Sequence, residues 1–232
     1  MRLDRYLSSA SVMTRSQAQK AIRKGRVRVN GGVANRPAAI VPAEAEVSLD
    51  GQLLARSGLR YFMLNKPQGY VCSTDDQHNS SVLELLDEPV LAGLHFAGRL
   101  DIDTTGLVLI TDDGEWSHRI TAPRRKRPKI YLVTLAEPLS EESADRLKGG
   151  LLLRNEKDPT RPAELERLTE TLIRLSITEG RYHQVKRMMA AVGNRVIALH
   201  REAVASLMLD ADLQPGQYRA LTALEIASAV QD

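Results

Sequence analysis

The sequence predicts an α+β fold in two parts, a small basic head followed by a larger body, and three observations predict it. Helical and extended patterns mix along the 232 residues without the regular strand–helix alternation of a doubly wound sheet. Hydrophobic side chains make up 43% and charged ones 26%, an ordinary globular balance. Charge is unevenly spread: residues 1–40 carry nine basic residues and the single acid Asp4, whereas the whole chain nets only +3. A cationic head on a mildly anionic body is suited to a polyanion, of which nucleic acid is the commonest.

The elements follow in order. Leu3, Tyr6, Leu7 and Ala10 recur at helical spacing, so residues 3–10 read as a short amphipathic helix. A second helix starts at Thr14 as N-cap, turns Ala18, Ala21 and Ile22 inward and Arg15, Lys20, Arg23 and Lys24 outward, and stops at Gly25. Arg26 to Val29 alternates as a strand, and Asn30-Gly31 is a hairpin signal. A second β pair is expected between Val33 and Val47–Leu49. Residues 51–60 read as a linker, which puts the domain boundary near residue 58 and the domains at 1–57 and 58–232.

In the body, Tyr61–Lys66 reads as a strand, Ser81–Leu86 as a short helix, and Leu107–Thr111 as a buried strand. Asp112-Asp113-Gly114 is a turn before a helix from Glu115 to Ile120. Lys129–Leu135 and Thr171–Thr178 read as strands, with a Ser140-capped helix between them ending at Gly149-Gly150. His183–Val192 is a helix, Val196–Leu199 and Leu207–Leu209 are strands, and Thr222 opens a last helix.

Several function classes drop out. No apolar run approaches the ~18 residues of a membrane span, and the first residues lack the apolar stretch of a secretory signal. One cysteine, Cys72, allows no internal disulfide, so a cytoplasmic location is expected. There is no phosphate loop of the GxxxxGK[ST] type, no dinucleotide fingerprint and no zinc-ligand spacing, so neither cofactor nor metal is expected. His183 reads as a structural hydrogen-bonder. A monomer is the expected state.

Three segments can carry chemistry. Gly98-Arg99-Leu100-Asp101-Ile102-Asp103-Thr104-Thr105-Gly106 leads straight into a buried strand, which is where a catalytic carboxylate often sits, although on local pattern Asp101 and Thr104 read equally as turn formers. Lys129-Ile130-Tyr131 opens a strand after a loop in which Arg119, Arg124, Arg125, Lys126, Arg127 and Lys129 gather without an acid, a place to grip phosphates beside a stacking ring; Tyr131 is otherwise an ordinary core tyrosine. Gly180-Arg181-Tyr182-His183-Gln184-Val185-Lys186-Arg187 puts cations at a helix start, either for a phosphate or carboxylate partner or as a plain basic surface.

Two resemblances join these readings. Arg2-Leu3-Asp4, Thr14-Arg15-Ser16-Gln17-Ala18, Ile22, Gly25-Arg26-Val27-Arg28-Val29-Asn30-Gly31 and Arg36-Pro37 resemble the S4 RNA-binding domain over about residues 1–50. That implies RNA contacts by Arg2, Arg5, Arg15, Lys20, Arg23, Lys24, Arg26 and Arg28, mostly to phosphates and shape. Gly98-Arg99-Leu100-Asp101 with Thr104 and Gly106-Leu107, then Lys129 and Tyr131, then Gly180 to Arg187, resemble the three motifs of RNA pseudouridine synthases, in the branch that carries an S4 domain. This resemblance implies a catalytic domain with a mixed, largely antiparallel sheet flanked by helices. It also implies a reaction without cofactor that isomerises a uridine of ribosomal RNA, uridine 516 of the 16S molecule, on free RNA or an assembly intermediate of the small subunit.

By that resemblance Asp101 is the catalytic carboxylate, attacking C1′, attacking C6 or removing a 2′ proton. Lys186 keeps it ionised, Arg99 holds the loop or a phosphate, and Tyr131 stacks on the base. Arg124, Arg125, Lys126 and Arg127 would contact RNA. The rival readings are a synthase acting on 23S RNA, a non-catalytic ribosome-binding protein, and a hydrolase with paired acids. The hydrolase is disfavoured because Asp101 and Asp103, on an extended segment, would point to opposite sides.

Overall fold

The computed structural model describes residues 1–11, 13–42, 44–54, 58–74 and 76–231. The expected linker therefore falls partly outside the described residues, at Ala55, Arg56 and Ser57. Two compact units form: Met1–Arg60 with Leu86–His95 and Thr111–Asp113, and the remainder.

In the first unit, α1 (Leu3–Ala10) and α2 (Arg15–Arg23) cover a four-stranded sheet of β1 (Val27–Val29), β2 (Gly32–Ala34), β3 (Val47–Leu49) and β4 (Gln52–Leu53), in the order β2-β1-β3-β4. Helix α2 starts where the cap rule places it: Thr14 Oγ1 accepts from the Gln17 amide at 3.2 Å, and Gln17 Oε1 accepts from the Thr14 amide at 2.8 Å. Asn30 and Gly31 both take positive φ, 49° and 78°, which is the tight turn that matches strand twist. The expected pairing of Val33 with Val47–Leu49 does not form. Both segments pair with β1 instead, which takes the middle of the sheet. Leu3, Leu7, Ala18, Ile22, Val27 and Val47 make the core. The basic residues do face outward, yet not all are idle: Arg2 and Arg15 grip the buried Asp4 carboxylate, and Arg26 pairs with Asp50.

The second unit is built on a nine-stranded sheet with β5 (Tyr61–Lys66), β6 (His95–Phe96), β7 (Thr105–Thr111), β8 (Lys129–Leu135), β9 (Glu164–Arg167), β10 (Leu172–Ile177), β11 (Val196–Val204), β12 (Leu207–Met208) and β13 (Tyr218–Ala220). Its path is β13-β5-β7-β11-β8-β10-β9, with β6 beside β7 and β12 beside β11. The β7–β11 pair is parallel, while β11–β8, β8–β10, β10–β9 and β5–β13 are antiparallel. Helices α3 (Gly114–Thr121), α4 (Glu141–Gly149), α5 (Gln184–Ala191) and α6 (Ala223–Ser228) flank it. Met63, Leu107, Leu109, Trp116, Ile120 and Val204 are among its core.

The element boundaries follow the sequence reading closely, with several departures, and the segment read as a linker, 51–60, contains the short strand β4. Ser81–Leu86 supplies only a single 3-10 turn, Val82–Leu85. Strand β11 runs on to Val204, past the expected end at Leu199. Strands β9 and β13 escape the alternation signal because they are the two ends of the sheet path, where an edge strand needs no continuous buried face. No helix among the described residues is long and apolar enough to cross a membrane.

Candidate active site

The loop between β6 and β7 carries Arg99 to Thr104, and two buried cations hold it. Lys66, at the end of β5, donates to the carbonyls of Pro67 (2.9 Å), Ile102 (3.2 Å) and Thr104 (2.8 Å). Burial pushes its pKa down, and the carbonyl cage supplies hydrogen bonds in place of water. Arg201, on β11, donates from Nε to Leu107 O (2.8 Å) and from Nη1 to Arg99 O (3.3 Å), so one guanidinium spans the two ends of the loop. Gly106 has φ +100°, and a Cβ there would lie 2.4 Å from Arg201 O, so only glycine lets β7 meet β11.

Within the loop, the Thr104 amide donates to Asp101 O (3.1 Å), which makes Asp101–Thr104 a turn. The turn overturns the expectation that Asp101 and Asp103 diverge, since the alternation rule holds only for extended chain. Both carboxylates reach the same ammonium: Lys186 Nζ lies 3.1 Å from Asp101 Oδ2 and 2.5 Å from Asp103 Oδ1. Burial opposes the charge on Lys186, but the hydrogen bonds it donates to Asp103 and Asp101 prevail and raise its pKa. The Lys186 bond is also the leading reason that Asp103 titrates below the ordinary range.

Asp101 is about one-third exposed, at 29%, and so is open to a partner. His183, read from sequence as structural, caps α5 in a left-handed conformation (φ 48°) and puts Nε2 at 3.4 Å from Asp101 Oδ1. The ring of Tyr182, itself 76% exposed, stacks on His183 at 3.7 Å. Arg181 and Arg187 from the same segment do not face the carboxylates. Arg181 binds the Asp158 and Pro159 carbonyls, Arg187 binds Glu156 and the Arg154 carbonyl, and together they fasten the chain preceding β9. The phosphate reading of that cluster thus narrows to Lys186 and His183.

Arg99, Asp101, Tyr131 and Lys186 line one cavity of about 210 Å³, together with Lys129 and Arg201. Tyr131 is buried on β8, with Leu175 and Arg201 as its register partners. Arg124, Arg125 and Lys126 are exposed beside Pro123, which borders the cavity. Arg127 turns away and donates to the carbonyls of Val230 and Gln231. Lys66 and Arg201 escaped the sequence reading. Their signal was a cation set in an apolar strand, as in Met63-Leu64-Asn65-Lys66. Among the described residues no three His, Cys, Asp or Glu side chains gather as a metal-ligand group.

The chain is similar to known proteins over its whole length. The family model described as RNA pseudouridylate synthase matches residues 60–191, and that of the S4 domain matches residues 1–47. The chain is 57% identical over 231 residues to "Ribosomal small subunit pseudouridine synthase A" of Escherichia coli (strain K12), covering 99% of this chain and 100% of that one. It is 49% identical over 233 residues to the protein of that name from Haemophilus influenzae, with 100% of both chains covered. A solved structure described as a crystal structure of pseudouridylate synthase is 49% identical with a TM-score of 0.73, covering 99% of this chain and 100% of that chain.

Proposed function

The chain belongs to the RNA pseudouridylate synthase family and carries an S4 domain, and from that premise we propose that it converts one uridine of small-subunit ribosomal RNA to pseudouridine. The target we propose is uridine 516 of 16S RNA. The full-length match to small-subunit enzymes supports that choice over a 23S target. The observation that carries the chemistry is Asp101, open to the cavity, with the Lys186 ammonium 3.1 Å away and Tyr131 in the same wall.

In this reading the target nucleotide leaves its stack, at a cost of a few kcal/mol, and enters the cavity base first, with C1′ of its sugar brought to Asp101. The C1′–N1 bond breaks, the base turns, and C5 bonds to C1′; C5 gives up a proton and N1 gains one, so the change is an isomerisation. Asp101 serves by attack on C1′, by attack on C6, or by taking a 2′ proton. Each needs the carboxylate ionised, and the Lys186 ammonium pairs with that charge at 3.1 Å. Tyr131 stacks on the base and keeps it beside its sugar. Arg99, exposed at the rim, holds a phosphate of the target strand.

The head, proposed to span residues 1–57, supplies RNA affinity. Lys20 and Arg23 on α2 and Lys24 at its C-terminal cap are exposed and make no ion pair among the described residues, so they are free for phosphates. The exposed run Arg124 to Lys126 adds a second cationic surface.

The test is tritium release from C5-labelled uridine in small-subunit RNA, with the modified position mapped in a strain lacking the protein. Loss of pseudouridine at position 516 alone, restored by the wild-type chain and not by Asp101→Asn, is the expected result. A missing pseudouridine in 23S RNA instead would overturn the target, and activity in Asp101→Asn would overturn the mechanism.

A further inference from the structure

Two cations on the inner wall of the cavity have no carboxylate bound to them among the described residues. Lys129 and Tyr131 stand two apart on β8 and so share one face of the sheet, and Arg201 is the register partner of Tyr131 on β11. Among the described residues the Lys129 ammonium makes one hydrogen bond, 3.3 Å to the Arg127 carbonyl. Arg201 is 1% exposed, and its Nη2 is buried without a hydrogen-bond partner; so is Oγ1 of Thr104, which lines the same cavity. The nearby acid, Glu179, is already committed: it accepts from the Arg161 amide, Gln184 Nε2 and Arg181 Nε. Burial first, then the charges of Arg201 and Arg161, push the Lys129 pKa down to about 8. Like charges held together out of water, with donors unfilled, are costly unless a guest brings acceptors.

We infer that Lys129 and Arg201 form the donor site for the carbonyl oxygens of the target uracil and hold the negative charge that gathers there as the base leaves its sugar. The inference rests on the reading of Asp101 given above. Depth selects the base over the RNA backbone: a guanidinium that is 1% exposed lies beyond a rim phosphate, and both cations neighbour Tyr131 on the sheet.

The electron bookkeeping is the same in all three routes. When the C1′–N1 bond breaks, its electron pair stays on the base and spreads over N1, O2 and O4, while C1′ is satisfied by an ester to Asp101 or by loss of a 2′ proton to it. When Asp101 adds to C6, the displaced pair comes to rest on O4. Each route passes through a charged carbonyl oxygen, and preorganised donors at such an oxygen are usually the largest single contribution an active site makes. A donor-only wall also opposes the amino group of cytosine, which brings hydrogens where uracil brings a lone pair.

The test uses the full-length enzyme in single turnovers on RNA carrying either uridine or 5-fluorouridine at the target. Fluorine makes the departing base a more stable anion, so that base needs less help. Lys129→Met is the decisive variant, because Arg201→Met also releases the Leu107 and Arg99 carbonyls. Lys129→Met is expected to slow loss of the N-linked uridine roughly 100-fold, with RNA affinity unchanged and with a smaller slowing on 5-fluorouridine. Equal slowing on both nucleosides, no slowing, or a defect confined to RNA affinity overturns the inference. Asp101→Asn, run in parallel, must abolish loss of both nucleosides; if it does not, the reading of the cavity falls and this one with it.

Discussion

Lys186 lies closer to Asp103 than to Asp101, at 2.5 Å against 3.1 Å, so the ammonium beside the proposed catalytic carboxylate is shared. The two acids are not equivalent: the Asp103 side chain is 62% exposed, whereas Asp101 is 29% exposed and faces the cavity. Asp103→Asn should keep most activity at neutral pH, because Lys186 then has Asp101 alone. Asp101→Asn should lose at least roughly 1,000-fold in kcat. Since Asp103 helps hold the Lys186 pKa up, its removal lets that pKa fall. An alkaline limb of the rate profile due to Lys186 should then move to lower pH. An Asp103→Asn enzyme as dead as Asp101→Asn would contradict this division.

Tyr131 is assigned to stacking. Tyr131→Phe should retain binding of the target nucleotide, and Tyr131→Ala should weaken it by about 1–3 kcal/mol, read as the dissociation constant of an RNA with a pre-extruded target. Equal losses in the two variants would point to the hydroxyl.

Gly106 has no room for a side chain. Gly106→Ala forces Cβ onto the Arg201 backbone at positive φ, so β7 and β11 must part or the loop must shift. The expected cost is about 3 kcal/mol or more, seen as a lower melting temperature together with lost turnover. A variant that melts like the parent would show that the strands yield more easily.

Asp4 makes an acid-sensitive joint in the head. Burial alone would raise its pKa, but hydrogen bonds from Arg2, Gln19 and Arg15 outweigh that and bring it from 3.8 to about 2. A carboxyl lowered in the folded state stabilises above its unfolded pKa and loses that contribution as pH falls through the folded one. Asp4 should thus contribute about 2 kcal/mol at neutral pH, lost between about pH 4 and pH 2. Urea titrations of Asp4→Asn should show the deficit at pH 7 and its disappearance near pH 2.

Lys20, Arg23 and Lys24 are read as phosphate contacts. Replacing all three by Gln should flatten the slope of log affinity against log salt by about 2 to 3, with little effect on kcat at saturating RNA. An unchanged slope would place the RNA elsewhere.

Much of the fold was legible because its signals are local. Thr14, Ser140 and Thr222 each cap the helix that follows, and Asn30-Gly31 makes its turn, through bonds that span three or four residues. Strand β8 has the predicted bounds because buried and partly exposed positions alternate along it. Strands β9 and β13, at the ends of the sheet path, gave no such signal.

For the site, it was the family resemblance carried by three short segments that singled out Arg99, Asp101, Tyr131 and Lys186, and the fold brings all four to one cavity. Tertiary structure alone decided that Asp103 shares the ammonium, that Arg181 and Arg187 are structural, that His183 meets Asp101, and that Lys66 and Arg201 hold the loop. Those facts depend on positions up to 102 residues apart, as between Arg99 and Arg201. A sequence records which charges exist; only chain closure settles which lose their water and which find a partner, and that decides what each can do.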